Sequence, residues 1–170
     1  SGIGYEMAQQ LAAKHYNLVL VARESDKLNA VKATLEQQHG IRVLVVAKDL
    51  SDTEQAMALY DEIKKEGVEI SMLVNNAGVG IYGDFINTDL EAELRMIELN
   101  VSAVVVLSKL FVQDMVVRKR GRILNVASLL SFLPFPYYSV YSATKAFVLA
   151  FSETFAAELE GTGVQVLTLC

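Results

Sequence analysis

Apolar residues fall along this chain in two alternating patterns. Short, largely apolar runs occupy residues 18–22, 43–47, 70–74, 123–127 and 164–169, the first two without a polar interruption. Such runs are expected of strands buried on both faces of a sheet. Between them the apolar positions recur at helical spacing. Met7, Leu11 and Ala12 mark a helix over 5–15, and Leu28, Val31 and Leu35 mark one over 26–39. Met57, Leu59, Tyr60 and Ile63 mark a third helix, which opens at the capping box Ser51-Asp-Thr-Glu54. Longer helices are predicted over 90–118, with Asn100 inside it, and over 141–160. Ser25 is the predicted cap of the second helix, and Gly40, Gly67 and Gly121 close three of them. Strands alternating with helices give a parallel sheet with helices on both faces. The economical arrangement is a doubly wound α/β sheet, with ligands at the carboxyl ends of the strands.

Composition narrows the function. The 170 residues, 52% of them hydrophobic, suffice for one domain with a real core. A net charge of −5 gives no support for nucleic acid as a partner. The single cysteine, Cys170, excludes an internal disulfide framework, and no Cys/His cluster suggests a metal. His15 and His39 receive no role. The apolar stretch 101–117 is interrupted by Ser108, Lys109, Gln113 and Asp114, so a buried or interface helix is expected there and no membrane span. No basic-then-apolar leader opens the chain, and a cytoplasmic location is expected. The chain opens at Ser1 inside a glycine-rich turn and ends at Cys170 inside an apolar run. It is expected to be a fragment of a longer protein.

The candidate chemistry lies between residues 128 and 145. Ser128 follows an apolar run. Tyr141 and Lys145 stand four apart at the start of a helix, which puts them on one face, one turn apart. An ammonium beside a phenol favours the phenolate, and a phenol so tuned passes protons to or from an alcohol or carbonyl oxygen. Each residue also has a plainer reading: an exposed pair for Tyr141 and Lys145, a turn cap for Ser128.

Four signals in order carry a resemblance. Ser1-Gly2-Ile3-Gly4 resembles the end of a glycine-rich cofactor turn. Asn75-Asn76-Ala77-Gly78 follows a strand. Ser128 precedes Tyr141 by thirteen positions, and Tyr141-x-x-x-Lys145 opens a helix. On these motifs the chain resembles the short-chain dehydrogenase/reductase family over essentially its whole length. The resemblance implies a Rossmann-like NAD(P)-binding domain over 1–170 that lacks its first strand. That strand would lie between 18–22 and 70–74, so an empty slot is expected there. The family's active site implies catalytic roles for Asn100, Ser128, Tyr141 and Lys145, with Asn100 interrupting its helix and holding a water for Lys145.

Cofactor contacts are implied for Gly2, Ile3, Gly4, Arg23, Asp49, Leu50, Asn76, Ala77, Gly78, Tyr141 and Lys145. The glycine turn lets backbone approach a pyrophosphate at a helix N-terminus. NAD-binding sites of this type place an acid at the end of the strand 18–22; here that position holds Ala22, followed by Arg23, and an arginine there fits a 2′-phosphate. NADP(H) is therefore expected over NAD, with Lys27 in support and the adjacent Glu24 against. The implied reaction moves a hydride between C4 of the nicotinamide and a carbonyl carbon. The apolar, aromatic segment with Phe132, Phe135 and Tyr138 suits a lipophilic ketone or secondary alcohol, or else core or dimer contacts. A 3-oxoacyl or steroid reductase is the narrower version. A non-catalytic NADP-binding regulatory protein is the alternative from another class. In the resembled family the helices over 101–117 and 147–155 pair into a homo-oligomer.

Overall fold

The computed structural model describes residues 2–170. The chain forms two compact units, one ending at Asp49 and one spanning Leu50–Cys170.

The first unit runs α1 (Ile3–Ala13), β1 (Leu18–Ala22), α2 (Ser25–His39), β2 (Val43–Ala47). The two strands are parallel, in register from Leu18 opposite Val43 to Ala22 opposite Ala47. Ala8 and Ala12 of α1, Leu35 of α2, Ile41 and Val43 bury together, and Leu18, Leu20, Val31 and Val45 pack against them. Gly40 adopts the left-handed conformation that ends α2, and its N–H donates to Glu36 O at 3.0 Å. The expected cap moves by one residue. Glu24 takes the N-cap position, and Ser25 lies within the first turn, where its Oγ accepts from Asn29 Nδ2. At the first helical position Ser25 has helical backbone angles, and the extended backbone from which a side chain reaches the free N–H groups of the first turn belongs to Glu24.

The second unit carries α3 (Thr53–Lys65), β3 (Met72–Asn75), α4 (Leu90–Ile97), α5 (Ala103–Val117), β4 (Gly121–Val126), α6 (Ser139–Glu158) and β5 (Val164–Leu169). The helix cap expected at Ser51 is supplied by Asp52, whose Oδ1 accepts from Glu54 N and Gln55 N. The strands are parallel in the order β3-β4-β5. Met72 stands opposite Arg122, and Gly121 opposite Val164.

The long helix predicted over 90–118 is not continuous. A π-helical turn, Glu98–Ser102, separates α4 from α5 and carries Asn100 at its middle. The run Leu90–Val117 is long and apolar enough to cross a membrane by length and composition. Its second half packs as a core helix, burying Val104, Leu107, Phe111, Val112 and Met115. Its Asp114 accepts bonds from Lys64 Nζ at 2.9 Å and Tyr60 Oη at 3.1 Å.

Four buried polar side chains tie the sheet to its helices. Asn75 Nδ2, at the end of β3, donates to Ser108 Oγ of α5 at 3.1 Å and to Asn125 Oδ1 of β4 at 2.8 Å. Asn125 Nδ2 donates to Ser152 Oγ of α6 at 2.9 Å, and that hydroxyl donates to Val148 O. Satisfied polar groups of this kind fix one register, since a slip would orphan every member. Asn125→Ala is therefore expected to destabilise the protein by about 1–3 kcal/mol for each group left unsatisfied. Urea unfolding measures this as a lower midpoint at an unchanged slope. A change below about 0.5 kcal/mol, the range of a surface substitution, would show that the network does not hold the sheet.

Candidate active site

β4 and α6 bring the candidate residues together. Lys145 lies one turn beyond Tyr141 on α6, and its Nζ is 5.9 Å from the centre of the Tyr141 ring. Lys145 is buried, at 6% exposure, and donates one hydrogen bond, to Val126 O at the end of β4, at 2.8 Å. Burial is what lowers its pKa, because desolvation penalises the charged form. An ammonium has three N–H donors. Two of those on Lys145 have no acceptor among the described residues, which suits the hydroxyl oxygens of a bound sugar.

Ser128 begins a short 3₁₀ turn, Leu129–Ser131. Its Oγ accepts from Leu130 N at 3.2 Å, and its own N–H donates to Ser131 Oγ. Ser131 Oγ in turn donates to Lys145 O at 2.9 Å, which fastens this turn to α6. Ser128 thus caps a turn with its oxygen, while its hydroxyl hydrogen has no acceptor among the described residues. The cap fixes the oxygen and leaves the proton to a ligand.

The amide of Asn100 is committed to protein partners. Its Oδ1 accepts from Val79 N at 3.0 Å, and its Nδ2 donates to Val79 O at 2.9 Å and to Thr144 Oγ1 at 3.0 Å. Thr144 Oγ1 donates to Tyr141 O at 2.7 Å. Asn100 therefore ties the loop after β3 to the first turns of α6. No hydrogen bond joins its side chain to Lys145, and both of its N–H donors are used on protein. Gly78 lies against both groups: a Cβ there would be 3.1 Å from Asn100 Oδ1 and 3.3 Å from Lys145 Nζ.

The expected cofactor residues divide between the two units. In the second unit Leu50 is buried, Asn76 is half-buried, and Ala77 and Gly78 are exposed beyond the end of β3. In the first unit Gly2 precedes α1 at φ 81°, and Ile3 and Gly4 begin that helix. No side chain caps this helix end, so its free N–H groups suit an anion. Arg23 is exposed just beyond β1, and Asp49 follows β2. Lys27 pairs with Glu24 at 2.7 Å and holds that carboxyl below its usual pKa. The acid beside Arg23 is thus matched by the lysine, and Arg23 forms no ion pair among the described residues.

An aromatic cluster adjoins Tyr141. Tyr138 lies 5.7 Å from it, centre to centre, with Phe135 and Tyr82 on Tyr138 at 6.1 and 5.1 Å. Tyr137 packs on Tyr82 at 5.6 Å. Sequence reasoning anticipated Phe135 and Tyr138 but missed Tyr82, Val79, Thr144 and the buried asparagine network. The one local signal for the network was Asn125, a polar residue inside an otherwise apolar run.

The short chain dehydrogenase family model matches residues 1–170. The chain belongs to the short-chain dehydrogenase/reductase family. It is 37% identical to a very-long-chain 3-oxoacyl-CoA reductase of Pyrenophora tritici-repentis, over 97% of this chain and 50% of that protein. It is 37% identical to the 17-beta-hydroxysteroid dehydrogenase type 3 of Rattus norvegicus, over 98% of this chain and 55% of that protein. The chain thus spans about half the length of the curated relatives it matches. A short-chain dehydrogenase from Sphingobium yanoikuyae, solved in complex with NADPH, superposes with a TM-score of 0.92 at 34% identity, covering 99% of this chain and 66% of that one. A metagenomic short-chain oxidoreductase solved with NADP gives 0.93 at 30% identity, covering 99% and 75%.

The lowered pKa of Lys145 makes a pH prediction. Between its folded value and the ordinary value of about 10.4, the unfolded chain binds more protons than the folded one, so stability rises with pH. Relative to Lys145→Met, the wild-type protein should gain stability as pH rises through that window and level off above it. Urea unfolding of both proteins across alkaline pH measures the difference. A difference that stays flat or falls would contradict the desolvated ammonium.

Proposed function

We propose that this protein is an oxidoreductase that transfers a hydride between NADP(H) and a ketone or secondary alcohol with an apolar body. The observation that carries this reading is the buried Lys145, with two unused donors, set one turn beyond Tyr141 in the first turns of α6 and bonded to Val126 O at the end of β4, two residues before Ser128. The bound nicotinamide supplies or accepts the hydride at the carbon of the reacting group. In the reductive direction the Tyr141 hydroxyl gives its proton to the carbonyl oxygen, so that C=O becomes CH–OH. Ser128 donates its free O–H to the same oxygen as negative charge develops there. Lys145, with its Nζ 5.9 Å from the Tyr141 ring centre, binds the sugar hydroxyls next to the nicotinamide. Water later restores the proton to Tyr141. When the cofactor is bound, Gly2, Ile3 and Gly4 would hold the pyrophosphate, Asp49, Leu50, Asn76, Ala77 and Gly78 would hold the adenosine side, and Arg23 would hold the 2′-phosphate.

The aromatic cluster beside Tyr141 supports an apolar substrate, since rings of this kind bury large areas against flat or chain-like carbon skeletons. Relatives named for very-long-chain 3-oxoacyl-CoA and for 17-beta-hydroxysteroids make these two ketone classes the first to assay. A homo-oligomer through the faces of α5 and α6 that carry Val105, Val117 and Phe147, and a cytoplasmic location, complete the proposal.

Tyr141→Phe is expected to lower kcat by about 10²–10⁴-fold, the usual contribution of a positioned acid/base, with NADPH affinity within about twofold. Steady-state kinetics and a fluorescence titration decide it. Retention of more than about a tenth of wild-type kcat would rule out proton transfer by Tyr141. A wild-type protein that binds NADPH and turns over neither ketone class would favour the regulatory alternative.

Arg23→Ala should weaken NADPH by roughly tenfold or more, the worth of a charge-assisted hydrogen bond, and leave NADH little changed. Calorimetric titration of both cofactors measures it. Equal losses for the two would contradict the 2′-phosphate assignment.

A further inference from the structure

Gly80, in the loop after β3, lies against Tyr141. A Cβ at Gly80 would sit 3.2 Å from Cδ2, 3.3 Å from Cε2 and 3.5 Å from Cγ of the Tyr141 ring. These are three consecutive atoms along one side of the ring, and the first two distances are closer than a Cβ normally approaches a neighbour. Gly80 does not have a positive φ, unlike Gly2 or Gly40. Its backbone conformation is therefore open to any residue, and the contact with Tyr141 is what its missing side chain serves.

The loop is not free to retreat from this contact. Val79, the preceding residue, is held through both its N–H and its C=O by the buried Asn100. On the other side, Gly83 N donates to Tyr137 O at 2.9 Å. Tyr137 itself has φ 69°, uncommon for a residue with a side chain, in the segment that leads into α6. Tyr138 then sets its ring 5.7 Å from that of Tyr141, at 56°. Between a pinned loop and a neighbouring ring, the Tyr141 side chain has little room to pivot.

We propose that Gly80 and Tyr138 are positioning residues that seat the Tyr141 ring and so aim its hydroxyl at the substrate oxygen. The catalytic consequence rests on the oxidoreductase reading; the seat itself does not. A methyl group at Gly80 pushes the ring by a few tenths of an ångström, and the hydroxyl, at the far end of the ring, is carried with it. Misplacement by about 1 Å costs on the order of 10²-fold in rate, so a smaller shift costs less.

The test combines kinetics with a direct view of the ring. In the purified protein, Gly80→Ala should lower kcat by about 10–100-fold, with KM and NADPH affinity within about twofold. Placed in a Tyr141→Phe background it should cause no further loss, because no hydroxyl is left to misplace. Tyr138→Leu should lower kcat, with KM changing as well because its ring belongs to the cluster proposed to meet the substrate, and Tyr138→Phe, which keeps the ring, should lose much less kcat than Tyr138→Leu. With ¹³C-labelled tyrosine, the Tyr141 ring resonance, assigned by its loss in Tyr141→Phe, should shift in Gly80→Ala and in Tyr138→Leu. Unchanged kcat, an equal loss in the Tyr141→Phe background, or an unmoved ring resonance would each overturn the proposal. Should Gly80→Ala not fold, the two Tyr138 variants carry the same comparison. Absence of wild-type turnover with any ketone would overturn the oxidoreductase reading, and the ring resonance would still decide the seat.

Discussion

The structure of the second unit turns on a lysine buried with too few partners. Removing a charge from water is unfavourable unless it is paired, and among the described residues Lys145 has one carbonyl acceptor and no carboxylate. Several neighbouring features follow from accommodating it. β4 must end so that Val126 O is available to the ammonium. The turn after Ser128 must reach back to Lys145 O through Ser131. Gly78 must lack a side chain, since a Cβ there would press on Nζ. A fold keeps such a group when a ligand completes its bonding, and a lysine whose pKa is lowered by burial is for that reason a candidate for a functional site.

The same loop serves two side chains by omitting two others. Gly78 leaves room for Lys145 and Gly80 leaves room for Tyr141, while Asn100 fixes the stretch between them by bonding both polar groups of Val79. The π-helical turn between α4 and α5 gives this a structural reason. A regular helix would carry Asn100 onward with the 3.6-residue period, whereas the wider turn re-aims it from the helix axis toward the loop and Thr144. The loop after β3 and the first turns of α6 are in this way joined through one buried amide.

Much of this was legible in the sequence, and the rest was not for definite reasons. The five apolar runs and the helical periods between them gave the strands, the helices and the parallel order, because burial on both faces leaves a strong pattern. Caps were displaced by one position at Ser25 and Ser51, since several adjacent polar residues compete for each helix end. The motif at Ser128, Tyr141 and Lys145 is local in sequence, so it could be read directly. The bond between Asn75 and Asn125 joins residues 50 positions apart, and the contact of Gly80 with Tyr141 is equally non-local. No local period encodes such contacts. The interruption expected at Asn100 came from the family resemblance, and its partner Val79 was not legible at all.

The central claim is that this site moves a hydride to a carbonyl carbon while the protein supplies the proton. The most direct test supplies NADPH carrying deuterium at C4 of the nicotinamide, together with a ketone of apolar body, and follows the product by mass spectrometry. The account predicts an alcohol with one deuterium on its carbinol carbon and an exchangeable hydrogen on its oxygen. Product alcohol without deuterium from either face of the nicotinamide, or deuterium that washes out into water during turnover, would contradict it.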